Sequence, residues 1–168
     1  MKKLMTFKKF NGTIIDDIGA YVAKWVSEYP HGEVIVGCDS QEHAKYIKYA
    51  VTIVMHIFKE KWHPKRIGYG AHVVYAEVID KSKNTKTDIY SKLMGEAEYT
   101  IEAAKLIGDI GRKITIHLDY NSNEDELSNI CYAAGLGWVR GEGYEAKGKP
   151  DAWASSNSAD RIAKGKIS

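Results

Sequence analysis

Two aspartates, Asp39 and Asp119, each follow directly on a short apolar run, Glu33 to Cys38 (EVIVGC) and Ile114 to Leu118 (ITIHL). Both runs have the character of strands buried on both faces. In open α/β sheets, sites form outside the carboxyl ends of strands. If the two strands are parallel neighbours, these carboxylates come close together, which is costly unless a cation or a proton sits between them. Turn capping accounts for either aspartate alone, since Asp is common in turns. Two in matching positions set a shared cation site against that reading.

A third acid comes from the segment Thr87 to Gly108, which has helical period. Ile89, Leu93, Ala97, Thr100, Ala104 and Ile107 line one face at 100° per residue. Glu98, Glu102 and Lys105 are expected to point away, to solvent. Glu96 sits at the edge of the apolar face, where an acid needs a reason, and is the candidate ligand. The last expected helix, Pro150 to Lys164, offers Asp151 in its first turn and Asp160 nine residues on, roughly 13 Å away at ~1.5 Å per residue. Two metals of one site lie only ~3.5–4 Å apart, so both aspartates cannot serve the same site. Periodicity does not choose between them; position near the strand ends favours Asp151. The bland alternative makes Asp151 a helix-dipole charge and Asp160 a surface partner of Lys164.

The elements that must position these acids are an amphipathic helix (Thr13 to Glu28), the strand Glu33 to Cys38, and two longer β-type runs, Tyr46 to Phe58 and Gly68 to Ile79. The helix from Thr87, the strand Ile114 to Leu118, a helix Glu124 to Ala134 closed by Gly135, a strand Gly137 to Gly143 and the final helix follow. Periodicity supports a mixed α/β domain. The expected architecture is a mixed five-stranded sheet, three antiparallel strands and then two parallel, flanked by helices. One domain is expected over residues 1–168, with a helical extension at 1–32 and the core at 33–168.

The net charge is only +2 over 168 residues, so bulk charge does not announce a polynucleotide binder. Its distribution says more: Lys59, Lys61, Lys65 and Arg66 form one basic run, and Lys81, Lys83, Lys86 and Lys92 another. Between Glu96 and Glu126 eight acids face three cations. A basic rim around an acidic centre suits a protein that grips phosphates while holding cations, although solvated faces explain the same charges. Cys38 and Cys131 lie in apolar segments without ligand spacing, as in a reducing compartment. No segment has the pattern of a signal peptide or the ~20 apolar residues of a membrane span, so a cytoplasmic protein is expected. The histidines show no pairing of the HExxH type, which speaks against zinc; His117 reads as structural. Tyr46, Tyr49, Tyr69 and Tyr75 are candidates for base stacking, with sheet packing as the commoner role. Glycine-rich stretches lack phosphate-loop spacing.

Asp39, Glu96, Asp119 and a late aspartate resemble the D-E-D-D pattern of ribonuclease H-like nucleases. GCDSQ, HLDYN and KPDAWASSNSADR are similar to the YkuK-type branch of that superfamily, over Val34 to Lys164. GWVRGEG resembles the last strand of true ribonucleases H, but Glu142 stands where those often place a histidine, which speaks against an assisting histidine and against RNA–DNA hybrids as substrate. The resemblance implies that Asp39, Glu96 and Asp119, with Asp151 as the best fourth, hold one or two Mg²⁺ or Mn²⁺ ions for in-line displacement at phosphorus. It gives Lys149 a role in balancing phosphate charge, and Ser40, Gln41 and Asn121 roles in orienting water or substrate. A metal-dependent nuclease acting on RNA or DNA is therefore expected. Its rivals are a non-catalytic nucleic-acid-binding module of the same fold and a phosphate-transfer enzyme for a small substrate. An uncovered strand edge leaves a homodimer open.

Overall fold

The computed structural model describes residues 5–57, 70–118 and 126–148. Among these, two short strands, β1 (Phe7–Lys8) and β2 (Ile14–Ile15), precede helix α1 (Ile18–Glu28). Asp17 caps α1 by accepting from the Ala20 N–H at 3.0 Å, which satisfies one of the donors orphaned at a helix start. The first helix is thus shorter than the helical spacing from Thr13 predicts. Ile14 and Ile15 pair with Lys8 and Phe7 instead, and so belong to an antiparallel hairpin at the sheet edge.

Three long antiparallel strands follow: β3 (Glu33–Glu42), β4 (Ile47–His56) and β5 (Ala71–Asp80). The β3–β4 ladder runs unbroken from Glu33↔His56 to Glu42↔Ile47. Asp39 therefore lies inside a strand, paired with Ala50, rather than in a turn after one. The antiparallel partner supplies ladder bonds beyond Cys38, and this keeps the chain extended. Helix α2 (Ile89–Ile107) is capped by Asp88, which accepts from the Ser91 N–H at 2.7 Å. It ends at Gly108, whose φ of 76° suits glycine. Strand β6 (Thr115–Leu118) then lies parallel to β3, with Val36↔Ile116 and Cys38↔Leu118 level.

Helix α3 (Glu126–Gly141) corrects two sequence expectations. Gly135 does not end it, and Gly137 to Gly141 is helix rather than strand. Cys131, Gly135, Leu136 and Val139 are buried at helical spacing, and that packing outweighs the poor helix propensity of the glycines. The reversal comes later, at Gly143, with φ 94°. Strand β7 (Glu145–Lys147) follows, parallel to β6.

The sheet order is β2-β1-β5-β4-β3-β6-β7, seven strands among the described residues. The expected arrangement of three antiparallel strands and then two parallel ones recurs in its contiguous part, but with Glu145–Lys147 in the place given to Gly137–Gly143, and the β1–β2 hairpin adds two strands beside β5. The main core joins Val22 and Val26 of α1, Ala97, Ile101 and Ala104 of α2, and Val139 of α3 to one sheet face, with Val36, Cys38, Val51, Ile53 and Ile116 among its strand residues. On the other face Ile35 and Val54 form a smaller cluster. Among the described residues no helix is long and apolar enough to cross a membrane.

Candidate metal and active site

Alternation along β3 sorts its residues. Val34, Val36 and Cys38 belong to the core on the helix face, so Ser40 shares that face and Asp39 leaves from the opposite one. The β3–β6 ladder ends at Cys38↔Leu118, one residue before Asp39. Asp39 thus stands where a parallel ladder stops, the switch-point position at which open α/β sheets place their sites.

Glu96 reaches the same level from α2. It is 3% exposed, and its Oε1 accepts from the Ser40 hydroxyl at 3.1 Å. That bond spans 56 residues of sequence and brings Glu96 to the neighbour of Asp39. The buried Cys38 thiol feels both acids: its pKa is pushed well up by burial first, then by the negative charges of Glu96 and Asp39, with Lys83 opposing. Ser40, expected to orient water or substrate, here orients a carboxylate.

What lowers α2 onto the sheet at this point is a clamp that no sequence pattern announces. Tyr49, fully buried on β4, donates its hydroxyl to the Lys92 carbonyl at 3.3 Å. The Lys83 ammonium donates to that same hydroxyl at 3.2 Å and to the Ser91 carbonyl at 3.1 Å, and lies 5.3 Å from the centre of the Tyr49 ring. Asp80 is 3.9 Å from Lys83 and accepts from Tyr99 at 3.3 Å. The next turn of α2 carries Gly95, and a Cβ there would collide with the Tyr49 hydroxyl and come within 2.7 Å of the Lys83 ammonium. The missing side chain lets helix and strand close up just before Glu96. Burial, and then the fields of Cys38, Glu96 and Asp80, push the Tyr49 hydroxyl pKa far up, so it remains a proton donor.

Other expectations resolve differently. Glu98 and Glu102 are half-buried rather than directed to open solvent. Tyr49 and Tyr75 are buried and not available for stacking on bases; Tyr46 is half-buried and stacked on His43 at 4.5 Å. In the second basic run, Lys83 is held as described and Lys92 pairs with Glu42 at 3.2 Å. His117 is 1% exposed within β6. Asp119 and Asp151, the other two expected ligands, lie outside the described residues, as do Asp160, Asn121, Lys149, Tyr69 and the basic run Lys59 to Arg66. Among the described residues no group of three or more His, Cys, Asp or Glu side chains is placed to hold a metal. Of the four acids, the described ones are Asp39 and Glu96. Their oxygen donors suit a hard divalent cation such as Mg²⁺ or Mn²⁺ better than zinc.

The model of the ribonuclease H-like family matches residues 13–164. The chain belongs to the ribonuclease H-like family. The matched span begins before α1 and takes in every later element of the sheet, including β3 with Asp39 and α2 with Glu96. Among curated proteins and solved structures, none matches the chain.

Proposed function

We propose that this ribonuclease H-like protein is a metal-dependent nuclease that hydrolyses phosphodiester bonds of RNA or DNA, of the YkuK-type branch. The observation that carries the reading is the buried Glu96 carboxylate, fixed by Ser40 beside Asp39 where the parallel β3–β6 ladder ends. Burying a carboxylate is costly, and a bound cation offsets that cost. Asp39 and Glu96 are assigned as ligands. Asp119, which follows the partner of Cys38 directly in sequence, and Asp151 would complete the set.

Bound there, one or two Mg²⁺ or Mn²⁺ ions would supply charge stabilisation at the phosphorus and a nucleophile at neutral pH. The chain's own residues do the positioning. Ser40 holds one Glu96 oxygen by its hydroxyl, so the carboxylate cannot swing away between turnovers. The Tyr49–Lys83 clamp sets the height of α2. A site held to within ~0.5 Å is what such chemistry demands. Two buried cysteine thiols accord with a reducing, cytoplasmic setting.

The test is cleavage of labelled single-stranded, double-stranded, hybrid and branched substrates with Mg²⁺, Mn²⁺ or chelator, comparing wild type with Asp39→Asn and Glu96→Gln. Metal-dependent cutting that both substitutions reduce by 10² or more is the expected result. Salt-sensitive binding without cutting, under every metal, would replace the enzyme with a binding module of the same fold.

A further inference from the structure

The geometry points to a second functional surface, a basic track around the edge strand β7 that seats the phosphodiester backbone of a nucleic acid and leads it to the Asp39 face. It rests on the nuclease reading and names where that substrate lies. Three cations converge on β7: Lys113 just before β6, Arg140 in the last turn of α3, and Lys147 at the end of β7 itself. With Tyr144 they line a surface cleft of about 420 Å³, and all three are exposed. Among the described residues none of the three is in an ion pair. Arg140 makes one hydrogen bond, to the Ala146 carbonyl at 3.4 Å, which leaves most of its guanidinium free to bind a phosphate. Of the neighbouring acids, Glu142 pairs with Lys105 at 3.2 Å; Glu145, which also lines the cleft, accepts from the Thr115 hydroxyl at 3.3 Å and keeps its charge, so the cations outnumber it three to one.

Register decides where the track leads. Thr115 is level with Glu145, and His117 with Lys147. The Thr115–Glu145 bond places those two side chains on one face, so Lys147 shares that face with His117. Gly37 is the partner of His117 on β3, and two residues further along the same face stands Asp39. Lys147 and Asp39 stand two strand spacings and two residues apart. With ~4.8 Å between strands and ~3.3 Å per residue, that is roughly 12 Å, the length of about three to four phosphates along one strand of a duplex. His117 and Gly37 between them are buried, so the backbone would pass along the carboxyl ends of the strands and not over the sheet face. Tyr144 and Ala146 alternate with Glu145 and Lys147 and pack against the core, which keeps β7 in register while its outward residues meet solvent. A polynucleotide held on β7 would thus approach Asp39 from the strand ends, with part of its backbone charge already balanced by the three cations.

The experiment is binding of fluorescein-labelled 30-nucleotide RNA and DNA, single-stranded and duplex, titrated with KCl under chelator so that no cutting occurs. The track variant carries Lys113→Gln, Arg140→Gln and Lys147→Gln. A control removes three charges near the opposite sheet edge by Lys8→Gln, Lys9→Gln and Lys24→Gln. Each phosphate contact contributes roughly 0.7–0.9 to the slope of log affinity against log salt. The track variant should therefore bind with a slope shallower by about 2–3, and at least tenfold more weakly at ~100 mM salt, while the control keeps the wild-type slope. A track variant with the wild-type slope, or a control with the same loss, overturns the track and leaves the nuclease reading standing. Wild-type protein that binds none of the probes at any salt overturns both.

Discussion

At Gly95 the backbone of α2 comes so close to Tyr49 and Lys83 that a methyl group has no room. Glu96 follows immediately, so the clamp and the carboxylate form one mechanical unit. Gly95→Ala should cost about 1–3 kcal/mol through overpacking, against a helix-propensity gain of only ~1 kcal/mol. Tyr49→Phe removes the hydroxyl that the new methyl would strike first and leaves, of that side chain, only the ring Cζ, 2.8 Å away, to give way. The cost of Gly95→Ala should then fall by about 1 kcal/mol or more in the Tyr49→Phe background, measured by urea unfolding of all four proteins. Additive costs would mean that the helix does not rest on Tyr49. As candidates, Asp39 and Glu96 stand out in the sequence, one from its place beyond a buried run and the other from its place on a helical stripe. Their connection does not. The Ser40–Glu96 and Lys83–Tyr49 bonds join residues 56 and 34 positions apart, and no local spacing encodes such a contact.

Between elements, Arg112 ties the loop before β6 to the loop between α1 and β3. Its guanidinium donates to the carbonyls of Pro30 at 2.6 Å, Tyr29 at 3.4 Å and Gly32. The Tyr29 carbonyl also accepts from the Gly32 N–H at 2.9 Å, and a forked cation serves several carbonyls at once. Arg112→Ala should destabilise by about 2 kcal/mol, a fall in Tm of roughly 4–8 °C for a chain of this size. Arg112→Lys should recover less than half, because a point charge cannot reproduce the fork. Full recovery by lysine in thermal unfolding would show that charge alone matters. Most elements were readable from periodicity: α2 falls within two residues of its expected ends. The failures share a cause. GWVRG read as a strand because four glycines between 135 and 143 argue against helix, whereas burial of Leu136 and Val139 decided for it. Ile14 and Ile15 had helical spacing but found a strand partner in β1.

For the molecule as a whole, the two cysteines report on how tightly the layers close. Cys38 on β3 and Cys131 on α3 are 1% and 0% exposed, and burial with two neighbouring acids holds the Cys38 thiol protonated well above its ordinary range. Neither should react with a disulfide reagent at neutral pH on the timescale of minutes, and both should react once the protein is denatured. Rapid modification of either in the native protein would mean that α2 or α3 opens far below the global unfolding free energy. On its own the sequence determined the fold class, the order of most elements and the acids worth attention, because hydrophobic period and residue type are local properties that one chain displays directly. Tertiary structure alone decided that β3 carries Asp39 within a paired strand, that Glu96 meets Ser40, and that Lys83 clamps a helix. It alone set Lys147 on the face of Asp39. Those facts depend on register and on helix height above the sheet, which arise only when distant segments pack against one another.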